Sequence, residues 1–354
     1  MAAQRSYGVA VVGAGNIAAA HVDAVSRLPN AHLVGVASRT HDSARAFADE
    51  HGTEAYPDLD TLLADDAVDV VAVCTPSGAH MEPAVAAARA GKHVVVEKPL
   101  EVTSERARAI IDAADEAGVR LATIFMSRFA DANVALKQAV DAGTLGRVIQ
   151  ADAYVKWFRS QAYYDSADWR GTWRLDGGGA LMNQAIHQVD LLLWLMGPVE
   201  EVFAYAATKA HERLEVEDTL VAVLRYRNGA LGHISAATSL WPGRAKELDV
   251  HGELGVATVR DDALVRWELQ GASDEASAEM LSRFGSSETG GAADPMAISF
   301  ENHRRQYADV LAAIDEGRAP SVDGHEGLRS VELIEAIYRS VREGRPVRPG
   351  GEAA

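Results

Sequence analysis

Apolar and polar positions along this chain follow two rhythms, and the change between them falls near residue 125. Before it, apolar runs read YGVAVVG, AHLVGVAS, a short TEAY, VDVVAVCT, HVVVEK and RLATIF, separated by alanine-rich helical patterns such as PAVAAARAG and SERARAIIDAADEAG. Near-continuous Val/Ile/Leu runs predict strands covered on both faces, as in a parallel sheet flanked by helices. Residues 1–125 are therefore expected to form a doubly wound α/β domain.

Beyond that point a helical stretch, NVALKQAVDAG, leads into long alternating runs: VIQADAYVKWF, EEVFAYAATKA, DTLVAVLRYRNGALGHISAATS and KELDVHGELGVATVRDDALVRWEL. Alternation with period two predicts antiparallel strands, and Asn228-Gly229 between two such segments predicts a tight hairpin. Residues 271–299, rich in Gly, Ser, Ala and Asp, read as a loop, and two helical patterns, ENHRRQYADVLAAIDEG and EGLRSVELIEAIYRSVREG, follow. Residues 126–354 are thus expected to form an α+β domain around a large, mostly antiparallel open sheet. VAVLRYRNGALGHISAAT carries apolar residues on both faces, and helices cover only one face of such a sheet, so a homodimer or homotetramer is expected.

Composition narrows the function class. With 354 residues, 48% hydrophobic and 24% charged, the chain is an ordinary globular sequence of two-domain length. A formal charge of -17 argues against nucleic acid and anionic membrane surfaces and favours a small-molecule partner. The single cysteine, Cys74, excludes an internal disulfide, and no apolar run is long enough to span a bilayer. MAAQRSYGVAVVGAG runs straight into a strand with no signal-peptide pattern, so a cytoplasmic location is expected.

Three stretches carry candidate chemistry. In VVGAGNIAAAH, Gly13, Gly15 and Ala18 form a G-x-G-x-x-A pattern directly after the first strand. Gly13 permits the tight turn, Gly15 lets backbone approach a pyrophosphate, and Ala18 permits close helix packing, with Asn16 and Ile17 at the helix start where phosphate would rest. His21 further along reads as a packing or capping residue. Where a NAD site places a carboxylate at the end of the second strand, this chain has Ser38-Arg39-Thr40. A guanidinium with hydroxyls suits a 2′-phosphate, so NADP is the expected cofactor, with NAD as the alternative.

The second stretch comprises the ends of the fourth and fifth strands, VCTPSGAH and VVVEKPL, where ligands lie in open α/β sheets. Cys74, Thr75, Pro76, His80, Glu97 and Lys98 fall there. Cys74 has no neighbouring base and reads as a packed small residue, whereas Lys98 after a wholly apolar strand calls for an anion or ligand.

The third is GGGALMNQAIHQVD, residues 177–190. At helical pitch Asn183, His187 and Asp190 share one face, while Leu181, Ala185, Val189 and Leu192 share the opposite one. Before it, KWFRSQAYYDSADWRGTWRLD gathers Trp157, Tyr163, Tyr164, Trp169 and Trp173 with Lys156, Arg159, Arg170 and Asp176. Aromatic faces beside hydrogen-bonding groups suit a sugar ring, though subunit contact would draw the same residues. Trp157, Tyr163, Tyr164 and Arg128 are candidate substrate contacts. Histidines and carboxylates show no zinc-type spacing, so no metal is expected.

The G-x-G-x-x-A opening, the EKP at the fifth strand's end and GGGALMNQAIHQVDLLLWLMG, with GRAPSVDGHEGLRSVELIEAIYRS trailing, resemble the Gfo/Idh/MocA oxidoreductases. These include glucose-fructose oxidoreductase and inositol dehydrogenases, and the resemblance covers essentially the whole chain. It implies a Rossmann domain followed by an α/β domain whose open sheet often forms the oligomer interface. The implied chemistry is reversible hydride transfer between a nicotinamide and a carbinol of a sugar, glycoside or cyclic polyol. Carried over, the EKP lysine is Lys98 and the helix histidine is His187, facing each other across nicotinamide and substrate. Many members have Asp four residues before that histidine, whereas this chain has Asn183, which orients but takes no proton. The burden of base then falls on His187 or Lys98. A glycoside-cleaving member of the same fold and a non-catalytic dinucleotide- and sugar-sensing regulator are the competing readings.

Overall fold

The computed structural model describes residues 5–285 and 300–350. Two sheets organise it, each in its own compact unit. The first sheet contains β1 (Tyr7–Val12), β2 (Ala31–Ala37), β3 (Glu54–Ala55), β4 (Val70–Val73), β5 (His93–Val96) and β6 (Leu121–Thr123), in the order β3-β2-β1-β4-β5-β6. Every pairing is parallel, and the order reverses beside β1, which is the Rossmann arrangement.

The continuous apolar runs have the expected cause. Within β1, Val9 and Val11 enter one buried cluster and Ala10 and Val12 the other, so both faces are covered. Helices Met81–Arg89 and Ser104–Ala117 supply Ala84, Ala87, Ala107 and Ile110 to the second cluster.

The first cluster corrects the domain boundary read at 125/126. Tyr307, Val310 and Leu311 of helix Glu301–Glu316 pack into it beside Ala18 and Val22 of helix Asn16–Ser26. One compact unit therefore runs to Met126 and takes in Phe300–Leu328, while Ser127 onward and Arg329 onward belong to the other. An apolar face on a late helix does not announce which sheet it covers.

The second unit holds β7 (Val148–Lys156), β8 (Val199–Ala207), β9 (Thr219–Tyr226), β10 (Leu231–Ala237), β11 (Glu247–Gly252), β12 (Gly255–Arg260) and β13 (Ala263–Leu269). Their order is β13-β12-β11-β7-β10-β9-β8, antiparallel except where β7 and β10 run parallel. The Asn228-Gly229 hairpin joins β9 to β10: Gly229 N–H donates to Tyr226 O at 2.9 Å, and Ala230 N–H to Asn228 Oδ1 at 3.0 Å. Along β9 burial alternates strictly, with Leu220, Ala222 and Leu224 inside and Val221, Val223 and Arg225 outside.

Two local expectations change. Within the segment read as a 271–299 loop, Asp274–Phe284 is a helix, and residues 286–299 lie outside the described residues. Ser273 caps it by accepting from Ala276 N–H, and Asp274 and Glu275 complement the dipole, but no residue on it is fully buried. Its apolar signal was therefore weak. The stretch after the three glycines also departs from one regular helix: Ala180–Ala185 winds as a π-helical turn before the α-helix Ile186–Met196 begins. No helix among the described residues is long and apolar enough to cross a membrane.

Candidate active site

In the first unit the carboxyl ends of β1, β2, β4 and β5 gather the candidate cofactor residues. Gly13 has φ +108°, and a Cβ there would lie 2.7 Å from Cys74 O, so the turn needs glycine. Gly15 is the N-cap of helix Asn16–Ser26 and provides no capping side chain; the first turn carries no acid. A Cβ at Gly15 would meet nothing within 4 Å, and Asn16 and Ile17 are exposed beside it. These uncapped, open N–H groups fit a pyrophosphate.

At the end of β2, Ser38 is half-buried and Arg39 and Thr40 are exposed. Thr40 Oγ1 accepts from Ser43 N–H at 3.3 Å, so this hydroxyl caps helix His41–His51. Arg39 forms no ion pair among the described residues.

Beyond β4, Cys74 is buried, and burial pushes its thiol well above the usual range, in keeping with a packed inert residue. Thr75 donates its hydroxyl to Ala79 O at 2.8 Å, and half-buried Pro76 leads into the short turn that delivers His80. His80 ties two strand-end loops together, with Nδ1 2.8 Å from Pro99 O and Nε2 3.0 Å from Thr75 O. Burial lowers its pKa, and the neutral ring donates to one carbonyl at a time.

Glu97 organises the backbone at Lys98. Its Oε2 accepts from Lys98 N–H at 3.0 Å, and Oε1 lies 2.9 Å from His21 Nε2 and 3.8 Å from His303 Nε2. Burial alone would raise this carboxyl, but hydrogen bonds and charge from His21 and His303 hold it well below the usual range. His21 is fully buried and its Nδ1 sits 2.7 Å from Tyr307 Oη. In sequence His21 reads as a packing or capping residue; its two hydrogen-bond partners, Glu97 and Tyr307, lie 76 and 286 positions away. Lys98 itself is half-buried.

In the second unit the turn after the glycines carries Asn183, Gln184 and His187, all half-buried. Asn183 Nδ2 donates to Asp176 Oδ1, and its Oδ1 accepts from Gln184 Nε2 at 2.7 Å. Both ends of the amide are thereby oriented. Gln184 also donates to Tyr163 Oη at 3.1 Å and accepts from Arg159 Nη2 at 3.2 Å, while Arg170 Nη1 reaches Tyr163 Oη at 2.7 Å. Tyr163 is thus brought to the Asn183 turn, and burial raises its pKa. Tyr164 points its hydroxyl to Thr238 Oγ1 at 2.7 Å, and Trp157 is buried with the Arg159 guanidinium 4.9 Å over its ring.

Arg128 and Asp190 take another part. Asp190 is fully buried and holds Arg128 through two hydrogen bonds, so the face read at helical pitch through Asn183, His187 and Asp190 is not uniformly presented. Sequence reasoning missed Glu217 altogether. Buried before β9, it accepts from Gly179 N–H at 3.0 Å, Leu181 N–H at 2.9 Å and Tyr338 Oη at 3.0 Å. Burial raises its pKa to about 7 against the opposing pull of these donors. No local pattern could have marked it, because its backbone partners are 38 and 36 positions away.

Comparison with known proteins identifies the family. Residues 7–125 match the oxidoreductase family with an NAD-binding Rossmann fold, and residues 133–258 match the GFO/IDH/MocA C-terminal domain. The chain belongs to the Gfo/Idh/MocA family. It is an NAD(P)-dependent oxidoreductase of the sugar and polyol dehydrogenase class. Myo-inositol 2-dehydrogenase of Thermotoga maritima is 29% identical over 352 residues, 96% of this chain and 98% of its own. D-xylose 1-dehydrogenase (NADP(+)) 2 of Haloferax volcanii is 30% identical over 321 residues, covering 88% and 90%. The solved WlbA dehydrogenase of Bordetella pertussis, in complex with NADH and UDP-GlcNAcA, has a TM-score of 0.86 at 35% identity, covering 98% of this chain and 99% of that one.

Proposed function

We propose that this enzyme transfers a hydride between NADP and a secondary carbinol of a sugar or cyclic polyol, with His187 exchanging the hydroxyl proton and Lys98 steadying the alkoxide. The observation that carries the reading is the π-wound turn Ala180–Ala185, which presents a half-buried Asn183 oriented at both ends by Asp176 and Gln184 and leads directly into the α-helix that carries half-buried His187. π-turns inside helices are frequent at functional sites, and a core helix needs no such array of amides and imidazole.

The nicotinamide, when bound, supplies the hydride acceptor or donor. The open N-cap at Gly15 would hold its pyrophosphate. An ammonium at Lys98 lowers the energy of the negative charge that develops on the carbinol oxygen. His187 is assigned the proton because a neutral imidazole can accept one, whereas the Lys98 ammonium that steadies the alkoxide is already protonated. Asn183 and Tyr163 orient hydroxyls.

The preference for NADP is supported by Arg39, exposed at the end of β2 where no carboxylate stands. Relatives divide on this point: the xylose enzyme is named for NADP(+), and WlbA was solved with NADH. The test is absorbance at the reduced-nicotinamide band while sugars and inositols are added with either cofactor. A change with at least one polyol, faster with NADP, is expected. Cleavage of a glycoside with no net change would overturn the dehydrogenase assignment.

Self-association belongs to the same reading. Tyr205, Val221, Val223 and Leu231 are 72%, 43%, 53% and 56% exposed on adjacent strands of the second sheet, the apolar residues expected to be covered by another copy. A homodimer or homotetramer at micromolar concentration is the expected sedimentation result.

A further inference from the structure

The three-glycine run enters the Asn183–His187 helix without a capping side chain, since its N-cap is Gly179. Its first donors are nonetheless satisfied, all by one distant residue. Glu217 Oε2 accepts from Gly179 N–H at 3.0 Å, the Glu217 main-chain oxygen from Ala180 N–H at 3.1 Å, and Oε1 from Leu181 N–H at 2.9 Å. Tyr338 Oη, from helix Gly324–Glu343, adds a hydrogen bond to Oε1 at 3.0 Å. The approach is close enough to dictate sequence: a Cβ on Gly179 would lie 1.7 Å from Glu217 O, and one on Gly178 would lie 2.1 Å from Tyr338 Oη.

Taken with the proposed roles of Asn183 and His187, on which it rests, we infer that Glu217 is a positioning residue for the reaction. Its carboxylate, seated by Tyr338, anchors the π-wound turn and so sets where Asn183 and His187 stand. A carboxylate is the group this place requires. In the ionised form both its oxygens only accept, whereas an amide of the same shape would turn a donor toward a backbone N–H at any pH. A dipole-favoured anion at a helix start also holds that turn more firmly than a neutral acceptor. Small displacements of reacting groups are costly, because an error of about 1 Å in position can lower a rate by about 10²-fold.

The experiment compares Glu217→Gln, Tyr338→Phe and His187→Ala with the parent enzyme. It uses amide exchange at residues 178–182, the His187 ring resonance in histidine-labelled protein, and turnover of myo-inositol or D-xylose as probes. For Glu217→Gln, protection at Gly179 and Leu181 should fall at least about tenfold and the His187 resonance should move, while dinucleotide affinity stays within about twofold. Turnover should fall about 10- to 100-fold with little change in KM. Tyr338→Phe, which keeps the carboxylate, should change the same quantities in the same direction and by less; it also serves if Glu217→Gln does not fold. Parent-like protection and an unmoved His187 resonance in both folded variants would overturn the inference, as would lost protection with parent-like turnover. Unchanged turnover in His187→Ala would instead overturn the catalytic reading, leaving exchange and resonance to decide the anchor alone.

Discussion

Arg128 and Asp190 lock together, Nε to Oδ2 at 2.8 Å and Nη2 to Oδ1 at 2.6 Å, with both side chains out of solvent. Asp190 stands on the same helix as His187, so the pair ties that helix to the segment that carries Arg128. Removing one partner leaves the other charge buried, and Asp190→Ala should cost about 3–5 kcal/mol in urea unfolding. Replacing both residues by apolar ones of similar volume should restore much of that loss. An Asp190→Ala variant as stable as the parent would show that the pair is solvated.

Lys98→Met and His187→Ala should each lower turnover by at least about 10²-fold, as loss of a positioned acid-base or alkoxide-stabilising group does. Dinucleotide affinity, followed by fluorescence, should survive in both, since the pyrophosphate is assigned to the Gly15 N-cap. Near-parent rates in both would move the chemistry to other residues.

Asn183→Asp sets a second carboxyl against Asp176, whose Oδ1 now accepts from Asn183 Nδ2. Two adjacent carboxyls do not both ionise readily, so one should keep its proton to higher pH. The variant's pH–rate profile should acquire an ionisation that the parent lacks. Profiles that superimpose would mean that the amide and Asp176 are not coupled in solution.

Arg39→Ala should erase much of the preference for NADP over NAD, by about 1–3 kcal/mol for a charge-assisted phosphate contact. Thr40→Ala should act differently, weakening the cap on helix His41–His51 and costing stability of about 1 kcal/mol. Equal binding of the two cofactors by the parent enzyme would rule out the Arg39 assignment.

The Glu217 carboxyl, raised to about 7 by burial from an ordinary value of 4.5, makes stability depend on pH. Between these values the folded chain keeps a proton that the unfolded chain releases, so stability should fall as pH rises from about 4.5 to 7 and level off above. The contribution is at most about 3.5 kcal/mol, from about 1.4 kcal/mol per unit. Glu217→Gln should remove that part of the slope in denaturation curves taken across this range. A slope identical to the parent's would show that the group is ionised throughout.

The sequence by itself determined both sheets. Continuous apolar runs with helices between them specify strands buried on two faces, and period-two alternation with Asn228-Gly229 specifies the antiparallel half, because side-chain direction follows backbone geometry residue by residue. It also marked the glycine turn and the residue types at Lys98, Asn183 and His187, whose chemistry is intrinsic. Tertiary structure alone decided which surfaces and charges meet. Helix Glu301–Glu316 shows an apolar face in sequence, yet only packing assigns Tyr307 and Leu311 to the first sheet's core. Arg128 and Asp190 are 62 positions apart, and Glu217 reaches the Gly179 turn across 38. Periodicity encodes that a face must be buried or a charge compensated; it carries no information about a partner that becomes a neighbour only once the chain has closed.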